Sequence, residues 1–196
     1  MKNILYVLFL AGLSLALFSC SSNSSTSSTA STTEVEGTWI TSCFQSGSYY
    51  RIQTITITGT DVVAKYEFHT DSSCSTDYLL YEDTYSSLAI GDSVTFSSGS
   101  TGHKFSLNVV SFKTTLQVAS LVSASNTASY WGFSDWELNT VKDYTGKTCS
   151  SILYPVANTT FLGMYKLVGN NLFLGDFIST GSYPTLVYNT IIYVKQ

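Results

Sequence analysis

Cys43, Cys74 and Cys149 are the residues in the body of this chain with the most covalent chemistry open to them. Three cysteines can close one disulfide and leave one thiol, and spacing alone does not fix the connectivity. Cys43 closes a first apolar strand and Cys74 lies in the turn Asp71 to Asp77, so a Cys43–Cys74 bridge would pin neighbouring segments. Cys149 bonded to either of them is the alternative. If Cys149 is left over, Gly146-Lys147-Thr148-Cys149 offers no flanking histidine or CxxC spacing to lower its pKa, so an inert thiol is expected rather than a redox nucleophile. His69 and His103, with Asp71 or Asp77, are the available metal ligands. They sit in polar strand ends and turns without the convergent ligand set a metal needs, so solvated side chains and no metal are expected. Glu82 and Asp83 are adjacent carboxylates, but neighbours on a strand point to opposite faces and cannot form an acid/base dyad. No GxSxG, HExxH, GxGxxG or P-loop pattern occurs, and neither a catalytic residue nor a cofactor is expected.

A fourth cysteine belongs to a different chemistry. Lys2 precedes the apolar run Asn3 to Phe18, which ends in Leu17-Phe18-Ser19-Cys20. A basic start, a short apolar middle and a small residue before the cut make a secretory signal. The run is shorter than the roughly 20 apolar residues a membrane span needs. Its last four residues resemble the lipobox of bacterial lipoproteins. That resemblance implies cleavage after residue 19, thioether lipidation of Cys20 and acylation, palmitate included, of the new amino terminus. Ser21, rather than Asp, implies onward export to the outer membrane. Each inserted acyl methylene contributes about 0.8 kcal/mol, so several chains on one cysteine hold a small domain at the bilayer.

Residues 21–33 are almost all Ser and Thr, with nothing apolar larger than Ala30. Such a segment cannot bury enough surface to offset its ordering entropy and reads as a tether of at most about 40 Å. The expected organisation is a signal peptide over 1–19, a lipidated tether over 20–33 and one domain over 34–196. With 13 acidic against 9 scattered basic residues, nucleic acid is not an expected partner.

Frequent Tyr, Phe, Thr, Val and Ile favour strands. Gly37 to Phe44 opens the domain. Arg51 to Thr58 places Ile55 and Ile57 on one face, and after the Thr58-Gly59-Thr60-Asp61 turn, Val62, Ala64, Tyr66 and Phe68 alternate with Val63, Lys65, Glu67 and His69. Further strands are expected over Tyr78 to Ile90, Ser93 to Phe96, Phe105 to Val109, Leu116 to Val122, Phe161 to Val168, Leu172 to Leu174 and Leu186 to Val194. Ser134-Asp135-Trp136-Glu137 has capping-box spacing and predicts a helix over 135–143. The fold class is therefore all-β: an antiparallel up-and-down meander barrel of eight to ten strands with one short helix near 135–143.

A Gly-x-Trp opening the first strand, a hairpin meander, a late short helix and a closing strand resemble the lipocalin and calycin group of barrels. The resemblance implies that Trp39 closes one end of the barrel under a basic residue from the last strand, for which Lys195 is the candidate. The apolar sides of the alternating strands make Tyr66, Phe68, Phe105, Leu107 and Tyr188 the expected inner wall. They either pack as plain core or line a cavity for a small apolar or amphipathic ligand. The expected function is that of a non-catalytic, membrane-tethered barrel. The alternative is a cell-envelope interaction module meeting a protein or glycan through exposed aromatics such as Tyr130-Trp131-Gly132-Phe133.

Overall fold

The structure is a computed structural model and describes residues 34–96, 99–149, 152–179 and 181–196. The expected signal segment 1–19, Cys20 and the tether 20–33 lie outside the described residues.

Strand alternation builds the wall. Its elements are β1 (Gly37–Thr41), β2 (Phe44–Ser46), β3 (Tyr49–Thr58), β4 (Asp61–His69), β5 (Asp77–Thr95) and β6 (Thr101–Leu116). After β6 come α1 (Ala119–Thr127), β7 (Val141–Asp143), β8 (Thr148–Cys149) and β9 (Ile152–Leu153), and then β10 (Thr160–Val168), β11 (Asn171–Leu174) and β12 (Tyr193–Lys195). The circuit β1-β12-β11-β10-β6-β5-β4-β3 returns to β1, a closed antiparallel barrel of eight strands with β2 and β7 as additions. Closure leaves those eight strands without a free edge over their paired lengths. The long β5 shifts register against β6 at three places, and such bulges let a long strand bend around the barrel.

Inward residues follow the period of two. Gln53, Ile55 and Ile57 on β3 are buried, as are Val62 and Ala64 on β4 and Phe105, Leu107 and Val109 on β6. The apolar ones among them join Trp39, Leu172 and Tyr193 in a single core. Each fully buried large apolar side chain contributes about 1.5–3 kcal/mol. At the end where Gly37 pairs with Ile57 and Trp39 with Lys195, the Trp39 indole donates from Nε1 to the Val35 carbonyl at 2.7 Å. Lys195 Nζ lies 5.1 Å from the centre of the Trp39 ring, the closing contact expected of this pair. The opposite end, where β4 and β6 finish, is bounded by the 117–159 lobe and by the irregular segment after β11.

The disulfide is Cys43–Cys74, with Cα atoms 5.9 Å apart, tying the end of β1 to the Asp71–Asp77 turn. Cys149 lies half-buried on β8 against the core.

Three expectations about elements are corrected. The helix is α1, over 119–127, and not over 135–143. Trp136 is held out of helical geometry by Asn126, whose Oδ1 accepts from its N–H at 2.6 Å and whose Nδ2 donates to its carbonyl at 3.0 Å. Asn139 has φ of +58°, and Val141 to Asp143 pair with β6 as β7. Second, the run Leu116 to Val122 is not one strand: β6 ends at Leu116 and α1 begins three residues later. Third, the last strand is only Tyr193–Lys195, because β11 offers β12 just Asn171 and Leu172 as partners; Leu186 to Ile192 lie outside it.

Candidate functional site

The inward face of β3 changes character towards the open end. Below Gln53 it presents Ile55 and Ile57; above it stands Arg51, registered against Phe68 of β4. The guanidinium lies 5.2 Å from the ring centre of Phe44, 5.4 Å from that of Phe68 and 5.9 Å from that of Tyr66. Three aromatic faces so disposed fix the plane of the cation and favour it electrostatically. Gln53 is buried, and its backbone N–H donates to Thr41 Oγ1 at 2.9 Å. Oriented by its hydrogen-bond partners, its Oε1 accepts from Arg51 Nε at 2.9 Å and Nη2 at 2.6 Å, while its Nε2 donates to the Tyr193 hydroxyl. Burial lowers the Arg51 pKa, but a guanidinium stays charged in proteins. Among the described residues no carboxylate lies within ion-pair distance of it. Burial pushes the Tyr193 hydroxyl up to about 12, so it stays protonated.

Arg51, Gln53, Tyr66 and Tyr193 face Asp176, Phe177, Tyr188 and Ile191 across a cavity of about 290 Å³. Deeper in the barrel, Ile57, Val62, Phe105, Leu107 and Leu172 surround an apolar void of only about 40 Å³. A water occupies roughly 30 Å³ in the liquid, so this lower space has room for about one water and for no organic ligand. Ile55, Leu174 and Phe177 touch both spaces.

The five residues expected on the inner wall therefore separate. Tyr66 lines the larger cavity. Phe105 and Leu107 line the small apolar void. Phe68 is half-buried beside the Arg51 guanidinium. Tyr188 also lines the larger cavity, but from its rim, 48% exposed and on a segment that is not the barrel strand expected there, and its hydroxyl donates to Asp176. His69 and His103 lie at opposite ends of the barrel, registered against Asp77 and Tyr165 respectively. His69 Nδ1 is 3.3 Å from Asp77, and His103 stacks on Tyr165 with ring centres 5.6 Å apart.

Asp83 is a second polar feature of the interior. Glu82 turns outward to Lys65 at 3.4 Å, while Asp83 turns inward between Ala64 and Phe112. Its Oδ2 accepts from the Tyr85 hydroxyl at 3.3 Å, and its buried Oδ1 has no partner. Burial raises its pKa to about 7, the Tyr85 hydrogen bond opposing and Glu82 adding to the rise. Tyr66, Tyr85 and Tyr144 are pushed up by burial and then by the Asp83 charge. Arg51, Gln53 and Asp83 were not among the residues expected to form a site. Extending the Ile55/Ile57 alternation two and four residues back places Gln53 and Arg51 inward, and opposite facing of Glu82 and Asp83 already requires one carboxylate inside.

The 117–159 lobe packs its aromatics inward. Trp131 is 4% exposed and stacks on Tyr144 with centres 4.5 Å apart, and Tyr144 stacks on Phe112 at 6.0 Å. The apolar side chains this lobe leaves exposed are Leu138, Val141, Ile152, Leu153 and Val156.

No protein-family model matches the chain, and no curated protein matches it.

Proposed function

We propose that this protein is a lipid-anchored, non-catalytic barrel of the bacterial cell envelope, lipocalin-like in design, that binds a small amphipathic ligand at its open end. The observation that carries the reading is the cavity of about 290 Å³ where the Arg51 cation and the side chains of Tyr66, Tyr188 and Tyr193 meet Ile55, Leu174 and Phe177. A few convergent polar groups on an otherwise apolar concavity are the usual make-up of a small-molecule site. The scarcity of free space deeper in the barrel favours the mouth over a deep calyx as the binding region. Glu34 accepts from the Tyr165 hydroxyl on the side of the barrel where Trp39 closes it, so a tether from Cys20 would leave from the closed end. Anchored at the outer membrane, the mouth would face away from the lipid.

Native mass spectrometry of the full chain tests the cavity reading: a co-purifying small molecule is expected, and its loss on filling the mouth with Ile191→Trp. A chain that neither carries nor takes up any small molecule would overturn it. Cys20→Ser is expected to move the protein out of the membrane fraction; unchanged fractionation counts against the anchor. A second reading, contact with an envelope protein or glycan, is favoured by the exposed Leu138, Val141, Ile152, Leu153 and Val156. Cross-linking from this lobe to a partner, unaffected by Ile191→Trp, would support it over ligand binding.

A further inference from the structure

We infer that the open-end cavity selects a compact organic monocarboxylate, its carboxylate seated on Arg51 and an aryl or short branched body against Ile55, Leu174 and Phe177. The inference rests on the reading of this cavity as a ligand site and names the chemical class of what enters it.

Charge is the first argument. A guanidinium has five N–H donors, and Gln53 takes one from Nε and one from Nη2. For the other three, no acceptor within hydrogen-bond distance and no carboxylate within ion-pair distance is found among the described residues. A carboxylate satisfies such a fork with two parallel charge-assisted bonds. The aromatic faces of Phe44, Tyr66 and Phe68 hold the guanidinium in one plane, so the fork is set before the ligand arrives. Tyr193 lines the same cavity, and because its oxygen accepts from Gln53 Nε2, its own O–H remains to donate.

Size is the second. The way down the barrel is shut by Phe105 and Phe177, whose ring centres are 5.5 Å apart at right angles, and only about 40 Å³ lies among the side chains there. A long acyl chain has no path into the interior. An aryl or short branched group fits the upper space.

The third argument concerns how many charges. Asp176 lines the same cavity with an exposed carboxylate that accepts from Tyr188. One anionic group is neutralised by Arg51; a second would face Asp176. The rim therefore discriminates against dianions.

Isothermal titration calorimetry on the full chain tests this with 3-phenylpropionate, its neutral amide 3-phenylpropanamide, the dianion benzylmalonate, and decanoate. The expected result is that 3-phenylpropionate binds at least tenfold tighter than the other three. Arg51→Gln should weaken the acid tenfold or more and leave the amide unchanged. Arg51→Lys keeps the charge without the fork and should give an intermediate loss, which serves if the glutamine variant does not give a wild-type melting transition. Asp176→Asn should tighten benzylmalonate. Equal binding of acid and amide, or no loss in either Arg51 variant, overturns the anion assignment and leaves the cavity reading standing. Decanoate binding more tightly than 3-phenylpropionate overturns the compact body, and unchanged benzylmalonate affinity in Asp176→Asn overturns the rim's role. No binding of any probe to the wild type removes the cavity reading itself and this inference with it.

Discussion

Lys195 and Trp39 are register partners on β12 and β1, and the Lys195 ammonium sits 5.1 Å from the centre of an indole that is 1% exposed. The contact joins the last strand to the first, so it closes the barrel both in sequence and in space. Gly37 is part of it. Its φ is +119°, and a Cβ there would stand 3.2 Å from Lys195 Cε, so only glycine both takes the backbone geometry and leaves the lysine stem its place.

Lys195→Ala is expected to cost about 1 kcal/mol, from a cation over a partly desolvated ring together with lost stem packing. Trp39→Ala should cost about 3–5 kcal/mol, as large-to-small changes at buried aromatics do. Urea denaturation of both, and of the double variant, measures the coupling. A double variant no worse than Trp39→Ala alone is the expected outcome, since the lysine then has no ring to cover. Strict additivity would deny the contact.

Asp83 gives the fold a pH dependence of definite sign. Its carboxyl titrates near 7 in the barrel and near 3.9 in an unfolded chain. Between those values the native state holds a proton that the unfolded state has released, so stability falls as pH rises through this window and levels off above about 7. The groups facing it are the Tyr66, Tyr85, Tyr144 and Tyr154 hydroxyls and, from its own strand, Glu82; none is a cation. Asp83→Asn should flatten the urea stability profile between pH 5 and 8 and leave the variant more stable than wild type at pH 8, by on the order of 4 kcal/mol. An unchanged profile in the variant would assign the dependence elsewhere.

Much of this barrel was legible because its information is local. The alternation of Val62, Ala64, Tyr66 and Phe68 and the Thr58–Asp61 turn fix a hairpin within about a dozen residues, and register follows. The closing pair was legible too, as a Gly-x-Trp at one end and a lysine at the other. The disulfide was narrowed by the same meander, which brings the end of β1 to the turn after β4. What the sequence could not show was where tertiary contacts override a local motif. Ser134 to Glu137 has the spacing of a cap, yet Asn126, ten residues before Trp136, takes both of that residue's backbone groups. α1 carries no side-chain cap and no acidic first turn, so nothing announced it. Tyr188 lies on an apolar run that finds no strand partner. The polar site was missed for another reason: the alternation of Arg51 to Thr58 was followed only over its apolar members Ile55 and Ile57, although continuing the period places Gln53 and Arg51 inside.

The Asn126 clamp makes its own prediction. Asn126→Ala removes one bond given and one received, and leaves the N–H and carbonyl of Trp136 to find other partners. The expected loss is about 2 kcal/mol, two hydrogen bonds at roughly 1 kcal/mol each. Asn126→Asp can still accept from the Trp136 N–H but can no longer donate to its carbonyl, and should fall between. Urea melts give the stability, and a red shift of tryptophan emission in the alanine variant would report exposure of Trp136. Wild-type emission and stability together would show that the lobe is held by its aromatic stack alone.

Gly163 and Phe105 face each other across β10 and β6, and the pair determines how full the lower barrel is. A Cβ on Gly163 would stand 2.2 Å from Phe105 Cζ and 2.7 Å from Cε1, inside any tolerable contact, so the phenyl ring lies where an ordinary side chain would be. Gly163→Ala must push the ring towards Phe177 and the small void; overpacking of this kind costs about 1–3 kcal/mol. Phe105→Leu alone opens space and should also destabilise. Because the two changes act on one volume from opposite directions, the double variant Gly163→Ala, Phe105→Leu should be more stable than the sum of the single losses predicts, by at least about 0.5 kcal/mol in a double-mutant cycle. Additive losses would mean that the ring has another place to go. The two side chains would then not be competing for one volume, and the close approach of the Phe105 ring to Gly163 would not be what sets the packing of the lower barrel.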